Sequence, residues 1–315
     1  MADKFGLAVR NFVGPKEIPD VDEILRYSAR AEELGFESLW VFDHLLLGVD
    51  PNFPILEAFT TMAAIASRTT EIKLGTGILI LPLRNPIWAA KTMASVDQIS
   101  KGRLILGAAS GWYSREFDAA GIPFKQRGRI FERNLDIILK LWTGEPVKMQ
   151  VDELNLRDAV CVPPPYQQPR PKVLIGGYVD KVLRRVAEKS DGWLTYAYTP
   201  DGFNKSWEKI KRFAKEAGRD PSELTATNQV AIYVGPPEDE ADKAMRHWLT
   251  TEWDFAGWSD STVEHAVRGT VDECVEQLKG YMETELDRII FIPYRYQPEQ
   301  VELLANEIIP RLKEM

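Results

Sequence analysis

Gly35-Phe36-Glu37-Ser38-Leu39-Trp40-Val41-Phe42-Asp43-His44 is the stretch from which the fold can be read. Ahead of it, Ile24, Tyr27, Ala31 and Leu34 recur at helical spacing, and Gly35 ends that helix as a C-terminal cap. Ser38 to Phe42 is a continuous apolar run, the signature of a strand buried on both faces. It stops at two polar residues, Asp43 and His44. Working outward, the same unit recurs. Apolar strands read at Phe5 to Val9, Ile72 to Ile78, Leu104 to Ala108, Val173 to Ile175, Gly192 to Thr195, Thr225 to Val234 and Arg288 to Phe291. Helical patterns stand between them, at Glu57 to Arg68, Pro86 to Ser100, Arg127 to Trp142, Lys181 to Lys189, Phe203 to Ala217, Val271 to Glu283 and Glu299 to Lys313. Eight strands alternating with helices predict an α/β fold of the closed (β/α)8 (TIM) barrel type. An open doubly wound sheet is the alternative that counting leaves standing. Residues 1–315 read as a single domain. Insertions interrupt the rhythm near 147–171, where Pro163, Pro164 and Pro165 cluster, and near 235–269, which holds Trp248, Trp253 and Trp258.

The chain has 315 residues, 44% hydrophobic and 27% charged, enough to bury a core without disulfides. A net charge of -8 argues against a nucleic-acid partner, which wants a basic surface. No window is apolar enough to span a membrane, and the first residues lack a leader pattern, so a cytoplasmic protein is expected. Cys161 and Cys274 share no ligand-type spacing and read as inert thiols. His44, His247 and His265 form neither HxH nor HExxH, so no metal is expected.

In such a barrel the chemistry sits at the C-terminal ends of the strands. Those ends present Asp43-His44, Gly75-Thr76-Gly77-Ile78, Gly107 through Ser110 to Trp112, Gly176-Gly177, and Tyr196-Ala197-Tyr198. His44 reads either as a general acid or base near neutral pH or as a structural histidine beside Asp43. Gly176-Gly177, ahead of a helix, reads either as a close approach to a phosphate or as a tight turn. Gly107-Ala108-Ala109-Ser110-Gly111 fails the dinucleotide spacing.

Taken in order, several segments resemble the bacterial luciferase-like family of flavin and deazaflavin oxidoreductases. They are Gly35 to His44, Leu74 to Ile78, Gly102 to Gly107, Gly111-Trp112-Tyr113-Ser114-Arg115-Glu116-Phe117, Arg127-Gly128-Arg129, Leu141 to Gly144, Ile175-Gly176-Gly177, Ser190 to Trp193 and Gly269 to Glu273. The resemblance implies a cofactor ring at the barrel mouth. It places a non-proline cis peptide at Gly77-Ile78, and His44 beside the reactive ring face with Asp43 orienting the ring system or the imidazole. It puts the cofactor phosphate on Gly176-Gly177, with Thr76, Gly107, Ser110 and Tyr196 as further cofactor contacts. Trp112 stands where sugar-phosphate-oxidising relatives carry a glutamate proton donor, which implies an apolar substrate pocket. The implied activity is hydride transfer between the deazaflavin coenzyme F420 and a small organic substrate. The alternative is an FMN-dependent monooxygenase fed by a separate flavin reductase; a noncatalytic flavin-binding member or a metal-dependent barrel hydrolase stands further off. The family also implies a homodimer or higher homo-oligomer. Arg84, Arg115, Arg127 and Arg129 are candidates for the oligoglutamate tail of a deazaflavin.

Overall fold

The computed structural model describes residues 4–48, 52–196, 199–252 and 259–315. Eight parallel strands form the core: β1 Lys4–Val9, β2 Ser38–Val41, β3 Lys73–Thr76, β4 Leu104–Ala109, β5 Lys172–Gly176, β6 Gly192–Tyr196, β7 Thr225–Val234 and β8 Arg288–Pro293. Each pairs with the next in sequence, and β8 pairs back onto β1, so the sheet closes. All eight strands and the barrel are as the sequence predicts, with boundaries moved by a residue or two.

Successive side chains on a strand point to opposite faces, so each strand feeds two cores. Leu39, Val41, Ile175, Trp193, Ile289 and Phe291 pack outward against the helices. Trp40, Leu174, Leu194 and Ile290 fill the interior. Trp40 is the large plug there, its indole N–H donating to Ser38 Oγ at 2.8 Å. Gly75 on the neighbouring strand makes room, since any Cβ at that position would overlap the indole ring.

The helices start where local chemistry serves their free N–H groups. Helix Pro86–Ile99 has proline in its first turn, and the Asn85 side chain accepts from Ile87 N and Trp88 N. Helix Val271–Met282 opens with a reciprocal capping box between Thr270 and Glu273.

The first insertion contains more structure than its prolines suggest: an antiparallel hairpin of Val147–Val151 with Leu154–Ala159. Gln167 N then donates to Asp97 Oδ2 at 2.9 Å, and Gln98 Nε2 to the Pro164 carbonyl at 2.8 Å, tying the segment to the barrel. The second insertion holds helices Glu238–His247 and Ser259–His265 and a short strand, Val267–Gly269, that pairs with β7. Trp248 is buried there, while Trp253 and Trp258 lie outside the described residues. Among the described residues no helix is long and apolar enough to cross a membrane.

Candidate active site

The ends of β2, β3, β4, β5 and β6 converge on a cavity of about 450 Å3 at the C-terminal face. Asp43, His44, Gly77, Ile78, Ser110, Trp112, Gly176, Gly177 and Tyr196 all line it. Thr76 and Gly107 do not. They brace β3 against β4, with Thr76 Oγ1 donating to the Gly107 carbonyl at 2.7 Å and accepting from Gly107 N at 3.1 Å. Ala197 and Tyr198 lie outside the described residues.

Asp43 turns out to hold the backbone opposite. Its Oδ2 accepts from Ile80 N at 2.8 Å and its Oδ1 from Arg84 Nη2 at 2.5 Å, with the carboxylate wholly buried. Burial pushes the carboxyl above its usual range, against the pull of the Arg84 guanidinium. The segment so anchored follows β3. It begins with the Gly77–Ile78 peptide, which is cis, and continues as Leu79–Ile80 paired beside β4. Asn134, on helix Arg127–Leu141, donates to the Leu81 and Arg84 carbonyls at 3.3 and 2.9 Å and fixes its far end.

Asp43 is thus engaged with Ile80 and Arg84, and the carboxylate paired with the His44 imidazole is Glu116. His44 Nδ1 lies 2.7 Å from Glu116 Oε2. Glu116 Oε1 accepts from Leu45 N at 2.5 Å and from Leu46 N at 2.9 Å. Trp112 stands edge-on to the imidazole, ring centroids 6.0 Å apart. Sequence reading passed over Glu116 as a site residue because its partner is 72 residues away. The available signal was its place soon after β4, on the short helix Ser114–Ala119, within a family-like segment.

Across the cavity, Gly177 has φ +134°, and its carbonyl accepts from Trp193 Nε1 at 2.9 Å. A Cβ on Gly176 would come within 2.5 Å of Ile78 Cδ1, so β5 and the cis segment meet at this glycine. Of the arginines proposed for a polyanionic tail, three are committed elsewhere. Arg84 serves Asp43, Arg127 donates to the Gly111 and Phe124 carbonyls, and Arg129 pairs with Asp152.

A planar tricyclic ring fits these walls. The volume lies in the range of small-molecule sites, and Phe42, Ile78 and Leu194 give it apolar faces. Gln229, also unforeseen, brings to the floor a buried amide oxygen that has no hydrogen-bond partner among the described residues and that a donor on a ring edge would satisfy.

A barrel with this mouth is the frame of a flavin-type oxidoreductase, and the comparison by sequence agrees. The model of the luciferase-like monooxygenase family matches residues 4–288, and the chain belongs to that family, whose members are oxidoreductases and monooxygenases. It is 26% identical over 320 residues to an F420-dependent glucose-6-phosphate dehydrogenase of Amycolatopsis mediterranei, covering 92% of this chain and 94% of the relative. It is 29% identical over 261 residues to the limonene 1,2-monooxygenase of Rhodococcus erythropolis, covering 79% and 66%. In fold it superposes on an F420-dependent secondary alcohol dehydrogenase with a TM-score of 0.83, at 20% identity and 99% coverage of both chains.

Proposed function

We propose that the protein binds the deazaflavin coenzyme F420 in the barrel-mouth cavity and moves a hydride between it and a small, largely apolar organic substrate. The observation that carries this reading is the pairing of an apolar cavity with a proton-handling group on its wall, the His44 imidazole braced by buried Glu116. When bound, the deazaflavin supplies the two-electron carrier. The residues of this chain do the rest. Ile78 and the Gly77 backbone back one ring face, and Gly176-Gly177 takes the phosphate side, where an open backbone permits close approach. In the oxidising direction the substrate carbon gives up its hydrogen with the bonding electron pair, and His44 takes the proton from the attached heteroatom. The reducing direction reverses both movements. Trp112, in place of a carboxylate donor, lines the substrate side with an apolar surface, so a neutral organic molecule suits it better than a sugar phosphate.

The nomenclature of the relatives supports this carrier twice, in the dehydrogenase of A. mediterranei and in the secondary alcohol dehydrogenase. A second reading, an oxygen-dependent monooxygenase using reduced FMN from a separate reductase, is favoured by the limonene monooxygenase match. The two part on oxygen. Mixed anaerobically with F420 and a panel of small alcohols and ketones, the protein should bleach or restore the deazaflavin absorbance in step with substrate. Strict need for oxygen and reduced FMN, with an oxygen atom found in the product, would replace this reading with the second.

A further inference from the structure

We propose that Glu116 is the positioning residue for His44: it fixes the imidazole with its proton on Nδ1 and so leaves Nε2 as the atom that exchanges a proton with the substrate. The substrate half of this statement rests on the hydride-transfer reading; the tautomer does not depend on which carrier binds.

Three observations carry it. First, the Glu116 side chain is fully buried and that of His44 is 11% exposed, so water does not compete for their contact. Second, Glu116 Oε1 already takes two backbone N–H groups, from Leu45 and Leu46, which leaves Oε2 facing Nδ1 at 2.7 Å. A carboxylate only accepts, whereas a neutral imidazole offers one donor and one acceptor, so the donor belongs on Nδ1. Third, the other nearby carboxylate, Asp43, is taken up by Ile80 N and Arg84.

The same carboxylate therefore does two things. It pins the loop that carries His44, through the amides of the next two residues, and it selects the tautomer of the ring. When Nε2 accepts a proton, the resulting imidazolium sits against Glu116 and is stabilised where it forms. An orienting carboxylate behind a catalytic histidine works in this way in hydrolytic triads. Trp112, edge-on at 6.0 Å, packs against the ring and limits its rotation away from Glu116.

The chain has three histidines, so the ring nitrogens can be resolved by 15N NMR of the full-length protein, with the His44 signals assigned by their loss in His44→Gln. In its neutral form, wild-type His44 should show a protonated Nδ1 and a bare Nε2. Glu116→Gln keeps an oxygen for the Leu45 and Leu46 amides but turns an NH2 toward Nδ1. It should move the proton to Nε2, lower turnover on the order of 100-fold or more, and leave the F420 dissociation constant within a few-fold. A wild-type ring protonated on Nε2 would overturn the proposal, as would an unchanged tautomer in Glu116→Gln. Should that variant not fold, the wild-type tautomer decides alone. Absence of F420 binding would remove the proposed function and leave the tautomer result standing.

Discussion

His44 and Gly176 show what a single residue decides at this mouth. General acid–base groups typically contribute about 100- to 10,000-fold. His44→Ala should therefore lower turnover by that order while cofactor affinity stays within a few-fold; an unchanged rate would make His44 a structural histidine. The glycines behave differently from each other. Gly177 sits at φ +134°, and a Cβ there would meet Val182 Cγ1 at 2.9 Å, so Gly177→Val should lower the melting temperature as well as cofactor affinity. Gly176 has no such backbone demand, but its Cβ would press on Ile78, a cavity wall. Gly176→Ala should weaken cofactor binding with a smaller loss in melting temperature. Equal affinity in both variants would remove the phosphate side from this pair. Sequence reading found both glycines and His44 from their place after a strand. It could not find Glu116, since contact across 72 residues leaves no local pattern.

At the scale of elements, the segment after β3 is held by side chains from two others, Asp43 after β2 and Asn134 on helix Arg127–Leu141, and by its own Arg84. Removing one partner of a buried ion pair strands the other charge, at a cost of about 3–5 kcal/mol. Arg84→Met should lose about that much stability near neutral pH. The sign with pH follows from the raised Asp43 carboxyl. Protonated at low pH, it carries no charge to strand, so the deficit should shrink as pH falls toward 4 and grow as pH rises. Denaturant melts at two pH values would show it; a pH-independent deficit would place the damage in packing instead. The hairpin of the first insertion shows what the sequence hides. Its exposed Lys148, Gln150, Asn155 and Arg157 alternate with buried Val147 and Leu156 and half-buried Met149, Val151 and Leu154, and no long apolar run marks it out. Thr76 and Gly107 were legible as strand-end residues, but their hydrogen bonds to each other depend on the stagger of β3 against β4.

The whole molecule divides its labour between the two ends of the barrel. Most of the eight strands were legible because they are buried on both faces and so read as short apolar runs, although β7 begins with the polar Thr225, Thr227, Asn228 and Gln229. Counting alone left closure open, since it rests on β8 returning to β1, and the family resemblance supplied it. At the end away from the cavity, Glu37 before β2 takes a two-pronged contact from Arg288 at the start of β8, at 2.8 and 2.9 Å. Burial works against the Glu37 carboxylate, yet Arg288 prevails and its pKa falls to about 2. A depressed carboxyl adds stability above its unfolded value and loses it as pH falls toward 2. Acid unfolding of the wild type should thus steepen between about pH 5 and 2, and Glu37→Gln should flatten that limb and cost on the order of 2–3 kcal/mol at pH 7. Activity per folded molecule should be untouched, because the pair stands at the far end from the cavity. At the cavity end, titration of the protein with F420 and with FMN, followed by absorbance and fluorescence, bears most directly on function. Saturable F420 binding, weakened in Gly176→Ala and retained in His44→Ala, is the expected result; tight binding of FMN with none of F420 would contradict it.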